Sequence, residues 1–367
     1  MSHELIARIE ALAASANTEA ERWLHRAQLA CVLARLGHIV SAREEIAALR
    51  GRNAAYDPRL TAWIFLAEGL SHHYESLSTE AADRFKRAYG VGLAIADNEI
   101  RSLAAAWLAA SEFLMASYET SAMHAVEAIR SAPQSASLAI SRAHLVLANC
   151  LCLVEDSVHA AKHYKDARSF AIEARDISMQ SSILYNVAAF RIARLSLIDA
   201  FGESIDSELP LASLELDSIS NLDSGLGIDS LRAMVPLLRA QLHLIKKRWV
   251  DANALYVRSI SEAANHGQLR ETPRFLAEQA HCLAMMGEND KALAVAAMAR
   301  ERVTGRTDLD DLAACYARLA LCFDALGDTK SAAAERVAAN ENRARYVTFQ
   351  ANLRAKVRAL LDDAAIQ

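Results

Sequence analysis

Apolar residues recur along most of this chain at intervals of three and four positions, the spacing that places them on one face of an α-helix. Alanine and leucine dominate the composition, whereas five prolines and twelve glycines are spread over 367 residues. Long helices with short connections are therefore favoured over a sheet. We predict an all-α fold.

The clearest pattern lies between Asp308 and Arg343, where large residues follow one helix face, an alanine stands where two helices would touch, and a glycine marks the turn. The residues of this pattern are Tyr316, Leu319, Ala320, Phe323, Leu326, Gly327 and Ala332. Similar units recur upstream, each marked by the alanine of its second helix: Ala42, Ala81, Ala122, Ala160, Ala252, Ala292 and Ala332. These alanines are 38 to 41 residues apart, except for one gap of 92 that leaves room for a single enlarged unit.

These units resemble the tetratricopeptide repeat, although their period near 40 exceeds the usual 34 residues of that family. Longer units of this kind are similar to those of bacterial regulatory repeat domains. The resemblance implies a right-handed α-α superhelix of about eight helix pairs, in which the first helices line a concave face.

The same spacing divides the chain into parts of one continuous solenoid. We predict an N-terminal capping helix over 1–15, repeats 1 to 5 over 16–200, an irregular acidic insertion over 201–228, repeats 6 to 8 over 229–332, and a long C-terminal helix over 333–367. Glycines and a proline in the insertion predict only a short irregular helix near 212–221. Pro236 predicts a kink in the first helix of repeat 6.

The net charge and the cysteine pattern limit which partners and which cellular compartment we expect for this protein. The formal net charge is −5, and no concentrated basic face marks a nucleic-acid partner. Six cysteines lie in helical apolar patterns without a CxxC pair, which favours buried thiols in a reducing compartment. The first residues lack an apolar signal region, and no uncharged apolar run reaches 18 residues. We therefore expect a cytoplasmic protein with no membrane partner.

Candidate chemistry is sparse. His159 and His163 are four residues apart on one helix, but no other ligand is clustered with them, so we predict packing rather than metal binding. The sequence has no GxSxG, and its two GxG segments do not continue into a phosphate-binding loop. We predict no enzymatic activity, no cofactor and no metal site.

The resemblance implies which residues face the concave groove, because inward positions are fixed relative to the small residue at each helix contact. The predicted binding residues are Arg35, Trp63, Tyr74, Trp107, Arg142, Asn149, Tyr185, Asn186, Arg274 and His281. Peptide-sensing repeat proteins hold extended peptides with inward asparagines, which is the role implied for Asn149 and Asn186. The alternative is that Trp63 and Trp107 are ordinary core between tightly wound repeats.

The C-terminal helix carries a heptad-like apolar stripe and should run unbroken from Ala332 to about Asp362. Its members are Tyr346, Phe349, Leu353, Val357 and Leu360. One interpretation is a cap that packs on repeat 8. The other is a coiled coil that forms a homodimer.

Two functions remain open from the sequence. The first is a non-enzymatic scaffold in bacterial regulation that holds a protein or peptide in its concave groove. The second is a stand-alone sensor, similar to the repeat region of TPR-containing diguanylate cyclases, that signals in trans through its C-terminal helix. In that case the enlarged fifth unit would act as the hinge.

Overall fold

The computed structural model describes residues 2–51, 57–76, 79–226, 234–265, 270–305 and 307–366. Those residues form helices and connecting turns without a strand, which confirms the predicted all-α fold. The helices are α1 Ser2–Ala14, α2 Glu19–Arg35, α3 Ile39–Arg50, α4 Pro58–Ser76, α5 Thr79–Ala94, α6 Asn98–Leu114, α7 Tyr118–Ser131, α8 Ser137–Leu153, α9 Ser157–Glu173, α10 Ile177–Ala200, α11 Leu209–Leu226, α12 Val235–Ile245, α13 Trp249–Asn265, α14 Thr272–Met285, α15 Asn289–Arg302, α16 Leu309–Ala325 and α17 Thr329–Asp363.

Consecutive helices pack as pairs. Helix α2 packs on α3, α4 on α5, α6 on α7 and α8 on α9, and later in the chain α12 packs on α13 and α14 on α15. The first helices also pack on one another, α2 on α4, α6 on α8 and α14 on α16. Residues on the inner sides of successive first helices are therefore brought close together.

The chain divides into two compact units. Unit 1 comprises Met1–Ile183, Leu222–Ser230 and Leu353–Gln367, and unit 2 comprises Leu184–Asn221 and Leu231–Asn352. The boundaries fall within α10, α11 and α17. Residues 227 and 228 at the end of the predicted acidic insertion lie outside the described residues.

Small residues hold the paired helices at short distance. All seven second-helix alanines of the sequence pattern are buried, with at most 2% of their surface exposed. Ala212 of α11 is equally buried and lies 52 residues after Ala160 and 40 before Ala252, so it occupies the gap in the series. It packs with Ala188 and Ile192 of α10 in one hydrophobic cluster. The enlargement of this pair lies partly in α10, which has 24 residues where α8 has 17.

Several turns between paired helices share one backbone geometry. Gly37, after α2, has a φ of 88°, which glycine adopts without a steric cost, and the His38 amide donates back to the Leu33 carbonyl at 2.9 Å. Ala116 and Glu155 occupy the corresponding position after α6 and α8 with φ of 58° and 57°. The turn is therefore imposed by packing even where the residue does not favour it.

Two prolines behave differently from the expectation. Pro236 is in the first turn of α12 and not in its interior, so the predicted kink is wrong. Pro210 is the second residue of α11, which extends over 18 residues and is longer than the 212–221 helix expected from sequence. A proline at these positions loses no intrahelical hydrogen bond, because the first amides of a helix have no partner within it.

Substitution of Gly69 tests the close contact between α4 and α5. A Cβ at this position would lie 2.5 Å from Cε1 of the Phe85 ring, which is fully buried. We expect Gly69→Ala to lower the free energy of unfolding by about 1–3 kcal/mol through overpacking. Urea denaturation followed by circular dichroism measures the change.

Gly90→Ala is the matched control, because Gly90 lies in α5 and a Cβ there would meet nothing within 4 Å. This variant should gain about 0.5–1 kcal/mol from the better helix propensity of alanine. Equal stability of the two variants would contradict the close α4–α5 contact.

Candidate binding site

Four predicted binding residues meet in unit 1, one from each of four successive first helices. They are Arg35 of α2, Tyr74 of α4, Trp107 of α6 and Arg142 of α8, and together we call them the arginine–aromatic cluster. Arg142 Nη2 donates to the Tyr74 hydroxyl at 3.4 Å, and its Cζ lies 4.1 Å from the centroid of the Trp107 ring. The Tyr74 and Trp107 rings meet edge to face at 5.9 Å. Arg35 also lies near this group, because Tyr74 and Arg142 both influence the pKa of its guanidinium.

The two arginines of the cluster differ in their counter-ions. Arg35 forms an ion pair with Asp176, and its carbonyl accepts a hydrogen bond from Ser178 Oγ at 3.0 Å. Arg142 has no carboxylate partner within the described part of the chain, and its buried Nε has no hydrogen-bond partner. Burial lowers the pKa of Arg142, while Tyr74 opposes that shift. The cluster therefore carries one positive charge that no carboxylate of the described residues compensates.

His73 lies beside this charge and responds to it. Its ring contacts both Tyr74 and Trp107 edge to face, with centroids 5.1 and 5.3 Å away. Burial and then repulsion from Arg142 lower the pKa of His73 to about 3. The imidazole is neutral at physiological pH, so it adds no charge to the cluster.

The other predicted residues of unit 1 are bound within the chain. Trp63 is buried and its carbonyl oxygen accepts from Cys31 Sγ at 3.9 Å. Trp107 also stacks on Phe85 at 5.9 Å between centroids, so both tryptophans have the burial that the core alternative expects. The Asn149 side-chain oxygen accepts a hydrogen bond from the Tyr164 hydroxyl at 2.9 Å.

In unit 2, Arg274 belongs to a buried ion-pair network. Its Nε donates to Glu278 at 3.2 Å, its Nη1 to Asp311 at 3.1 Å, and its Nη2 to the Ala193 carbonyl at 2.9 Å. Glu278 is fully buried and also accepts from Ser196 Oγ at 2.6 Å. Both of these hydrogen bonds are accepted by Oε1 of Glu278.

Four more residues complete the network, and two of them bond to Oε2 of Glu278, so that both oxygens of this buried carboxylate are hydrogen-bonded. The side-chain amide of Gln241 and the hydroxyl of Tyr256 donate to Glu278 at 3.1 and 2.8 Å. Arg318 Nη2 donates to Asp199 at 2.7 Å and to the Ser196 carbonyl at 3.1 Å. Burial and the nearby Glu278 charge raise the pKa of Tyr256, so this hydroxyl keeps its proton. The network ties α10 to α12, α13, α14 and α16 within unit 2.

Sequence reasoning missed most of this network. Glu278 is four residues after Arg274, the spacing of a helical ion pair, and this signal could have identified it. Arg318 and Asp199 are 119 residues apart, and no local pattern joins them.

The remaining predicted residues of unit 2 are His281, Tyr185 and Asn186. The His281 ring contacts the Trp249 ring at 5.3 Å, and burial, with repulsion from Arg318, lowers the pKa of His281 to about 3. Tyr185 packs partly buried against the α10–α11 cluster, and Asn186 next to it is half-buried.

His159 and His163, the two histidines considered as metal ligands, interact with different partners. His163 Nδ1 lies 2.8 Å from His144 Nδ1, and His159 Nδ1 lies 2.8 Å from Asp156 Oδ1. Over the described ranges, the group of side chains with metal-binding proximity is Asp308, Asp310 and Asp311. Asp308 pairs with Arg270 and Asp311 with Arg274, so two of these three carboxylates already have cationic partners.

The apolar stripe of the C-terminal helix packs against other parts of the chain. Helix α17 is unbroken over 35 residues, as predicted. Its last turns lie against α7–α9 in unit 1, where Arg354 Nε donates to the Val154 carbonyl and Arg358 Nε to Asp156, both at 2.9 Å. In the stripe, Tyr346, Leu353 and Val357 are buried, and Phe349 and Leu360 are partly buried. The apolar side chains proposed for dimerisation therefore face other parts of the same chain.

None of the described helices is both long enough and apolar enough to cross a membrane. Comparison of the sequence with protein-family models and with curated proteins finds no match.

Removal of the charge should cost much more stability at Arg274 than at Arg142. We expect Arg274→Met to lower the free energy of unfolding by about 3–5 kcal/mol, because it leaves Glu278 and Asp311 buried without their cation. Arg142→Met strands no carboxylate and loses mainly the contact with Trp107, so its cost should not exceed about 1 kcal/mol. Thermal and urea denaturation of both variants measure the difference, and equal losses would contradict this account of the two arginines.

Proposed function

We propose that this chain is a non-enzymatic scaffold that binds a protein or peptide segment, as a regulatory adaptor of the bacterial type. In this proposal the helix pairs form a right-handed superhelix of about eight TPR-like units followed by the long C-terminal helix. The pairwise packing of α2 to α9 and of α12 to α15, with a buried alanine in each pair, supports that architecture.

The arginine–aromatic cluster carries the functional proposal. Each of four successive first helices contributes one large or charged side chain to this cluster. Repeat proteins recognise extended ligands through side chains contributed by consecutive repeats, because each repeat alone offers too little surface. Tyrosine, tryptophan and arginine are also the residues that contribute most binding energy at protein interfaces.

The chemistry of the cluster favours a ligand with an acidic group beside an apolar one. Tyr74 is half-buried and is the most accessible member, whereas Arg35, Trp107 and Arg142 are each more than nine-tenths buried. A ligand would therefore meet the Tyr74 ring first and present its acidic group to the arginines behind it. Tyrosine provides a rigid apolar contact of this kind at low entropic cost.

Selection from a random peptide library displayed on phage tests the proposal. We expect enriched peptides that contain an acidic residue and bind the folded wild-type chain. Tyr74→Ala should weaken their binding at least tenfold, equivalent to about 1.4 kcal/mol. Fluorescence anisotropy with labelled peptides measures the affinities.

Arg87→Ala is the matched control for these measurements. Arg87 also lies over an aromatic ring, that of Phe65 at 5.9 Å, but it is exposed and outside the cluster. Its variant should bind the selected peptides as the wild type does. Peptides that bind both variants equally well, or a selection that enriches none, would contradict the proposed site.

A further inference from the structure

Arg142 and Arg274 occupy the same register in two different helix pairs. Each lies six residues before a buried alanine at the helix contact, Ala148 and Ala280. Four residues after Arg274 stands Glu278, which pairs with it, whereas four residues after Arg142 stands Val146, which is buried and apolar. The position that supplies the counter-ion in unit 2 is therefore apolar in unit 1.

The other buried arginines of the described chain all have carboxylate partners. Arg35 pairs with Asp176, Arg274 with Glu278 and Asp311, and Arg318 with Asp199. Burying an ion without a partner costs several kcal/mol by order of magnitude. Among the described residues, three of the four buried arginines therefore have a carboxylate partner and Arg142 does not.

We propose that Arg142 and Tyr74 bind one carboxylate group of the ligand, which supplies a counter-ion that none of the described residues provides. This inference rests on the proposed scaffold function and assigns the chemistry of its anchoring point. A carboxylate is planar and accepts two parallel N–H bonds from a guanidinium, which fixes its orientation. The Tyr74 hydroxyl already accepts from Arg142, so its own proton is available to donate to the incoming oxygen.

Charge balance favours a carboxylate over a phosphate. Asp176 neutralises Arg35, and His73 is neutral, so one positive charge remains. One carboxylate brings the buried cluster to neutrality, whereas a phosphate dianion would leave a net negative charge in the same place. Phosphate is therefore the appropriate competitor in a test.

Equilibrium dialysis with radiolabelled acetate tests the site directly, at constant ionic strength maintained with chloride. We expect saturable binding of one acetate per chain, no competition from inorganic phosphate at equal concentration, and loss of binding in Arg142→Met. Arg87→Met, which removes an exposed arginine from an aromatic ring, should bind as the wild type does. Absence of saturable binding to the wild type, or unchanged binding to Arg142→Met, would overturn the inference, and equal competition by phosphate would overturn the choice of carboxylate.

Val146→Glu adds a second test, since it places a carboxylate where Glu278 stands relative to Arg274. We expect this variant to lose acetate binding while its thermal midpoint stays equal to or above that of the wild type. A folded Val146→Glu that binds acetate as before would count against the site, and if the variant does not fold, Arg142→Met decides alone.

The two proposals fail separately. Selected peptides that bind without any acetate site would leave the scaffold intact and remove the carboxylate anchor. Acetate binding without any selected peptide would support the anchor as a small-molecule site and count against the scaffold.

Discussion

The close approach of paired helices through a buried alanine is the constraint on which the rest of this structure depends. A larger residue would separate the helix axes, as the Phe85 ring pressed against Gly69 illustrates at the one glycine contact of this kind in α4. Because the first helices then pack on one another at regular intervals, side chains at fixed positions along them converge. Arg35, Trp107 and Arg142 come from helices far apart in sequence and meet for this reason.

Both units bury an arginine among their first helices, and they differ in the groups that surround its positive charge. In unit 2 the inner side of α14 carries Arg274, and the chain surrounds it with Glu278 and Asp311. The stability of such a network depends on all of its members, because a buried charge that loses its partner is energetically costly. In unit 1 the corresponding inner side carries Arg142 among aromatic rings, which hold a cation less strongly than a carboxylate does. Similar helix packing thus surrounds the buried arginine with carboxylates in unit 2 and with aromatic rings in unit 1.

Local features of the fold were predictable from the sequence, and distant ones were not. The alanine spacing, the left-handed Gly37 and the unbroken α17 depend on residues within one or two helices, so periodicity and turn chemistry identify them. The ion pair of Arg35 with Asp176 and the contact of Arg354 with Val154 join segments more than 100 residues apart. Their formation depends on how successive pairs stack, which the pattern of a single pair does not encode. The placement of the site residues on helices was therefore predictable, but their burial and partners were not.

The residues that depart from local rules are informative for different reasons. Glu155 holds a left-handed backbone that glycine would hold at lower cost, yet its amide and the Asp156 amide still complete the hydrogen bonds that end α8, so tertiary packing compensates the strain. Arg142 departs from the rule that buried charges are paired, because its contacts among the described residues are with Tyr74 and Trp107 and not with a carboxylate. A local conflict that the fold resolves indicates structural constraint, whereas the one at Arg142 is the place where we propose that a ligand group binds.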